Sequence, residues 1–137
     1  MMKLFFFFVL AGVFFCSCNN SSKTKEPADN RIALKSDTIN TVKLSDTLVI
    51  YESTCRGCAY ETSTNFSIED HTNTIKLVDV ITIDNKSSDE NGGSVGKQLV
   101  LVPTKSGFTE FKLYKFFKME KTAEDSARSI SYKIEVK

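Results

Sequence analysis

The closing segment SISYKIEV (Ser129–Val136) alternates strictly between polar and apolar residues. Successive side chains of an extended chain point to opposite faces, so Ile130, Tyr132, Ile134 and Val136 share one face. The other face carries only serine, lysine and glutamate side chains. This pattern is typical of a β-strand with one face on a core and the other in water, and it predicts a protein built from β-sheets.

Similar short apolar segments precede the closing strand and are separated by turn-forming residues. We predict further strands at Thr38–Leu44, Thr47–Glu52, Thr74–Ile83, Lys97–Val102 and Phe108–Phe117. The Ser45-Asp46 break between the first two indicates a hairpin, and the Gly-rich segment Asp84–Gly96 indicates a loop. The sequence thus predicts an all-β fold, an immunoglobulin-like two-sheet sandwich of about seven strands over residues 38–137.

The segment Lys118–Ala127 is charged and has Met119 as its only large apolar residue. It has no apolar stripe to bury, so we predict a loop there and no helix in the domain. The predicted core consists of Leu44, Val49, Ile75, Leu77, Ile81, Leu99, Leu101, Phe111, Leu113, Ile130, Tyr132, Ile134 and Val136.

The start of the chain has the features of an export signal. A short basic start precedes Leu4–Phe15, an unbroken apolar run that is shorter than the roughly 20 residues needed to span a bilayer. A serine before Cys18 and a Ser- and Asn-rich stretch after it resemble a relaxed bacterial lipobox, which implies cleavage before Cys18 and its acylation. We predict a lipoprotein signal peptide over 1–17, a flexible tether over 18–37 and a membrane-anchored location in the bacterial cell envelope, facing the periplasm or the cell surface. An ordinary secretory peptide cleaved nearby is the alternative.

The charge balance and the histidine content exclude several classes of function. Beyond residue 17 the chain carries 17 Lys and Arg against 17 Asp and Glu, whereas nucleic-acid binding needs a basic surface that displaces counterions. The single histidine, His71, offers little for a His-rich metal site or a Ser-His-Asp triad. We therefore predict a protein that is not an enzyme and that has no metal, no cofactor and no nucleic-acid partner.

Cys55 and Cys58 are predicted to form a disulfide. Export places them in an oxidising compartment, where paired thiols become disulfides, and Cys18 is acylated in the lipoprotein reading. The small ring would staple a loop between two strands and stabilise the fold by about 2 kcal/mol. A redox-active pair is the alternative, but its thiolate would need a helix N-terminus, which the sequence does not predict here.

Three segments share one layout: Ser53–Tyr60 joins two strands, Gly93–Gly96 precedes a strand, and Lys115–Phe117 leaves a strand with two aromatic residues. This layout resembles that of the chagasin family, which are proteinaceous inhibitors of papain-like cysteine proteases. The resemblance covers Thr38–Val136.

The first segment is similar to the family's Asn-Pro-Thr-Thr-Gly-Phe-Ala-Trp motif and matches it at Gly57, Ala59 and Tyr60. The second is similar to Gly-x-Gly-Gly, with Val95 as the departure, and the third stands where the family has Arg-Pro-Trp. The first motif departs at Ser53, Thr54, Cys55 and Arg56. The cation of Arg56 would pair with the protease's thiolate or be repelled by its imidazolium, and the sequence leaves both open.

The resemblance implies an inhibitor that blocks the active-site cleft of a papain-like cysteine protease with three loops. The residues it assigns to the protease-binding loops are Ser53, Thr54, Arg56, Gly57, Gly93, Val95, Gly96, Lys115, Phe116 and Phe117. We expect a monomer that is held at the membrane through lipid on Cys18. The alternative is a non-inhibitory envelope lipoprotein in which the same sandwich is an immunoglobulin-like binding module.

Overall fold

The structure is a computed structural model that describes residues 30–84 and 92–137. Its elements are β1 (Ile32–Ala33), β2 (Ile39–Val42), β3 (Leu48–Cys55), β4 (Asn65–Glu69), β5 (Ile75–Ile83), β6 (Ser94–Pro103), β7 (Gly107–Phe116), α1 (Ala123–Ala127) and β8 (Ile130–Val136). In these two ranges the strands form two sheets of four, in the orders β1-β3-β6-β5 and β2-β8-β7-β4. The signal peptide predicted over 1–17 and the lipidation predicted at Cys18 lie outside the described residues.

The predicted all-β sandwich is confirmed, and its core lies between the two sheets. The alternation of the closing strand has the expected consequence, because Tyr132, Ile134 and Val136 are all buried. The ring of Phe111 on β7 stacks on that of Tyr132, with 5.4 Å between the centroids. The buried cluster comprises Leu34, Val42, Leu48, Ile50, Ile75, Leu99, Leu101, Phe111, Leu113, Tyr132, Ile134 and Val136.

The hairpin predicted at Ser45-Asp46 is wrong. Strand β2 pairs in parallel with β8 in one sheet, whereas β3 pairs with β1 and β6 in the other. The polar turn therefore carries the chain from one sheet to the other. A short polar break has the same sequence signature in both cases, and only the strand partners distinguish them.

The predicted tether over 18–37 is corrected at its end. Within the described residues, Ile32 donates its backbone N–H to Thr47 (2.9 Å) and Leu34 to Val49 (2.9 Å), so the chain here is an edge strand of the first sheet. Leu34 is buried in the core. The folded domain thus begins before residue 38, because pairing with β3 satisfies the backbone of a short segment that has no pattern of its own.

The loop predicted over Lys118–Ala127 contains the short helix α1. Its N-cap is Thr122, which exchanges hydrogen bonds with Asp125 in a capping box. The helix buries none of its residues, so the capping signal forms it without an apolar stripe. In the described parts of the chain, no helix has the length and apolarity that crossing a membrane requires.

Three predicted core residues are exposed instead. Leu44 lies 48% exposed after β2, Ile81 is 37% exposed on the edge strand β5, and Ile130 is 40% exposed at the start of β8. A fourth, Leu77, is half-buried against the core. All four sit at an element end or on the edge strand β5, where the opposite sheet covers a side chain less than it does in the middle of the sandwich.

Strand β4 was not predicted, because its sequence NFSIE lies in a polar segment. Its apolar residues Phe66 and Ile68 pack against the core. They are two residues apart, as a strand with one inner face requires.

Candidate functional site

The three segments singled out by the sequence meet at one end of the sandwich. Ser53 and Thr54 on β3 pair with Gly96 and Val95 on β6. Beyond the paired strands, the backbone N–H of Arg56 donates to the carbonyl of residue 93 (3.0 Å). We call this end, formed by residues 53–64, 93–96 and 115–122, the loop end.

Strand β7 joins the loop end from the other sheet. The ammonium of Lys115 donates a hydrogen bond to the carbonyl of Ser53, and it lies 3.5 Å from the carboxylate of Glu52. Just past β7, the ring of Phe117 lies 5.0 Å from the ring of Tyr60, centroid to centroid. Contacts between side chains and backbone thus tie all three segments together.

Several of the predicted loop residues belong to strands. Ser53 and Thr54 lie in β3, Val95 and Gly96 in β6, and Lys115 and Phe116 in β7. Thr54 is 4% exposed and Val95 is 3% exposed, so neither side chain is available to a partner. A motif in the sequence does not reveal where strand pairing ends and a loop begins, because the pairing partners are distant in sequence.

Gly96 has a packing role that the loop resemblance did not suggest. A Cβ at this position would lie 3.2 Å from the carbonyl oxygen of Ile83 on the neighbouring strand. The glycine therefore permits close approach of β5 to β6. Of the predicted residues, Ser53, Gly57, Gly93 and Phe117 remain exposed.

The charge of Arg56 is compensated within the protein. Its guanidinium forms an ion pair and hydrogen bond with the carboxylate of Asp84. The Arg56 side chain is only 11% exposed. The loop end therefore does not present this cation to an incoming partner, which resolves the question that the sequence left open.

The loop after β3 is closed by several independent ties. Cys55 and Cys58 form a disulfide, and the backbone N–H of Gly57 donates to the carboxylate of Glu61. The N–H of Thr64 donates to the carbonyl of Tyr60 (3.0 Å). Gly57 adopts a φ of 70°, a left-handed conformation that favours glycine, and the space beside its Cα is open.

The loop after β7 is held by a polar cluster that the sequence did not reveal. The hydroxyl of Tyr114 donates to the carboxylate of Glu69, and the ammonium of Lys121 lies 3.4 Å from the centroid of the Tyr114 ring. The hydrogen bond from Tyr114 lowers the pKa of Glu69; desolvation opposes it, and Lys121 and the charge of His71 lower the pKa further, so that the net shift is downward. The same hydrogen bond raises the pKa of Tyr114. Tyr114 and Lys121 lie 45 and 52 positions from Glu69 in the sequence. No local sequence pattern therefore indicates this cluster.

His71 forms a surface contact. Its Nε2 lies 3.5 Å from Glu69 Oε1, and its side chain is 84% exposed. Over residues 30–84 and 92–137, no group of three or more His, Cys, Asp or Glu side chains is placed to hold a metal ion. An exposed pair of this kind contributes little to stability.

Comparison with solved structures finds the same sandwich in other proteins. The crystal structure of EhICP2, a cysteine protease inhibitor from Entamoeba histolytica, matches with a TM-score of 0.54 and 23% identity, over 77% of this chain and 95% of its own. The solution structure of amebosin matches with a TM-score of 0.53 and 16% identity, over 78% and 98%. No family model matches the chain, and no curated protein matches it significantly. At these identities the likeness establishes the fold, so this chain has the sandwich fold of EhICP2, and the predicted resemblance to the inhibitor family is confirmed at that level.

Proposed function

We propose that this protein inhibits papain-like cysteine proteases by placing its loop end in their active-site cleft. The observation that carries the proposal is the convergence of three separate segments at one end of the sandwich. The sandwich has the same fold as the cysteine protease inhibitor EhICP2. Ser53, Gly57, Tyr60, Gly93 and Phe117 are exposed members of that convergence.

Blocking a cleft requires a surface that is already shaped before binding. The disulfide and the hydrogen bonds of the loop after β3 restrict its motion, so little conformational entropy is lost on docking. The same ties oppose the extended conformation that a protease imposes on a substrate strand. Inhibition would then be reversible obstruction without cleavage.

The contact chemistry of the loop end suits an apolar groove beside a charged catalytic pair. Tyr60 and Phe117 are 54% and 37% exposed and touch one another, and aromatic residues supply much of the binding free energy at interfaces. The Arg56–Asp84 pair removes a cation that would meet the protease's imidazolium. The proposal therefore assigns binding to apolar contact and backbone approach.

Location at the bacterial envelope is part of the proposal and rests on the N-terminal sequence. The basic start, the apolar run and Cys18 favour export and acylation. A lipid-anchored inhibitor would act on proteases that reach the membrane surface.

The test is a titration of the purified protein against papain and several cathepsin-like proteases with a fluorogenic substrate. We expect competitive inhibition, and about tenfold weaker inhibition by Phe117→Ala because an interface anchor is truncated. Phe108→Ala is the matched control, since Phe108 is 56% exposed at the opposite end of β7. Absence of inhibition at micromolar concentrations across these proteases would overturn the proposal.

A second candidate is a binding module for another envelope protein. It is favoured by the departures from the inhibitor motifs and by the burial of Thr54 and Val95, which withdraws two of the predicted contact residues. The same titration separates the two candidates. A folded protein that inhibits none of the proteases would favour the binding module.

A further inference from the structure

Met119 is the most exposed large apolar residue among the described residues. Its exposed fraction is 99%, against 57% for the next side chain, Tyr51. It is also the only methionine after Met2. Burying an apolar side chain lowers the free energy of the system. A thioether side chain that is not part of the core therefore contributes in this way only when a partner covers it.

The loop that carries Met119 is fastened on both sides. Before it, the side-chain amide of Asn65 donates to the carbonyl of Lys118 (3.3 Å). After it, the ammonium of Lys121 lies over the Tyr114 ring, 3.4 Å from its centroid, and 3.5 Å from a carboxylate oxygen of Glu69. These contacts hold the loop on both sides of Met119, which lowers the backbone entropy that the loop loses on binding.

The surroundings of Met119 have the arrangement of an interface anchor. Phe117 lies two residues earlier in the same loop and touches Tyr60 across the loop end. The charged residues Lys118 and Glu120 flank Met119 directly and are exposed. An apolar centre with a charged rim is the usual composition of a protein interface.

We propose that Met119 is a specificity-determining residue of the inhibitor and enters an apolar pocket on the wall of the protease cleft. This inference rests on the proposed function. The flexible, polarisable thioether adapts to irregular apolar pockets, so proteases with an apolar pocket at this place would be preferred over those with a charged one.

The test compares inhibition constants of wild type, Met119→Ala and Met119→Leu against the same panel of proteases. We expect Met119→Ala to inhibit about tenfold more weakly, and Met119→Leu to stay within about threefold of wild type because volume and apolarity are kept. Leu44→Ala is the control, because Leu44 is an apolar residue, 48% exposed, beside the C-terminal Lys137 at the other end of the sandwich. Thermal unfolding should be the same for all four proteins, since Met119 lies outside the core.

A second readout uses the oxidation chemistry of the thioether. Hydrogen peroxide transfers one oxygen atom to the sulfur, which is oxidised by two electrons to the sulfoxide, while the peroxide is reduced to water. Wild type treated with peroxide, and then freed of it before it meets the protease, should weaken as much as Met119→Ala. Met119→Leu should be insensitive to the treatment.

The outcomes separate this inference from the function on which it rests. If wild type inhibits and Met119→Ala inhibits equally well, the role of Met119 is refuted and the inhibitor function stands. Sensitivity of Met119→Leu to peroxide would likewise assign the oxidation effect elsewhere and count against Met119. If wild type inhibits none of the proteases, the proposed function fails first and this inference falls with it.

Discussion

Asp70 shows how one carboxylate fixes the turn between β4 and β5. One of its oxygens accepts the backbone N–H groups of Thr74 (2.6 Å) and Ile75 (2.8 Å). The other accepts from the N–H of Thr72 (2.9 Å) and from the hydroxyl of Thr109 on β7 (2.7 Å). Partial burial raises the pKa of Asp70, but the hydrogen bonds from Thr72, Thr109 and Ile75 outweigh it and lower the pKa to about 2.

We expect Asp70→Asn to lower the free energy of unfolding by about 2 kcal/mol at pH 7, because an amide nitrogen replaces one accepting oxygen and leaves N–H donors without partners. The measurement is urea unfolding. Asp37→Asn, at an exposed carboxylate in the turn before β2, is the control and should change little.

The same substitution gives a pH dependence with a definite sign. The folded-state pKa of Asp70 is about 2, below the ordinary value of 3.8, so the unfolded state binds more protons in this range. The stabilisation is therefore complete above about pH 4 and is lost as the pH falls towards 2. The difference between wild type and Asp70→Asn should shrink over that window, and a difference that stays constant down to pH 2 would contradict the assignment.

At the scale of elements, the loop after β3 is stabilised by more than its disulfide. The N–H of Arg56 donates to the carbonyl of Gly93 (3.0 Å), and the N–H of Glu61 donates to the carbonyl of Cys58 (3.1 Å). The carboxylate of Glu61 also accepts the N–H of Gly57. The disulfide therefore adds to a loop that backbone hydrogen bonds already close.

We expect the double variant Cys55→Ser, Cys58→Ser to remain folded and to lose about 2 kcal/mol of unfolding free energy, since the ring that the disulfide closes is short. Denaturant unfolding measures the loss. A reductant should lower the stability of wild type by the same amount and leave the double variant unchanged. Global unfolding of the variant at neutral pH would show that the loop depends on the disulfide alone.

At the scale of the whole molecule, stability depends on residues that both sheets cover. Leu101 on β6 has no exposed surface, whereas Leu44 is 48% exposed after β2. We expect Leu101→Ala to lose about 2–5 kcal/mol of unfolding free energy, because it leaves a cavity between the sheets. Leu44→Ala is the matched control and should stay within about 0.5 kcal/mol of wild type. Equal losses in the two variants, measured by urea unfolding, would contradict the placement of the core.

The predicted fold class is confirmed, because the alternation of polar and apolar residues along a strand is a strong local signal. The closing strand placed Tyr132, Ile134 and Val136 in the core as expected, while Ile130 at its start stayed exposed since little lies over the end of the strand. Strand β1 and the helix α1 were missed, because β1 is defined by its partner and α1 by a capping box.

The sequence predicted which segments form the candidate site. It did not predict which of their side chains are exposed or which of them form ion pairs. Glycine and aromatic residues at corresponding places indicated which segments to compare, and these segments do meet. The sequence did not predict that Thr54 is buried while Ser53 beside it is exposed, or that Asp84 neutralises Arg56. Exposure and ion pairing depend on which element lies opposite, and that element is distant in sequence.

The sequence by itself determined most of the strand segments, the inward face of the closing strand β8 and the pairing of Cys55 with Cys58, because these follow from local period and from the spacing of the two cysteines. The tertiary structure alone decided that β2 joins β8 across the length of the domain, that the loop end assembles from both sheets and that Met119 stays uncovered. Those outcomes depend on the free energy of packing whole sheet faces together, to which each residue contributes only through partners far along the chain.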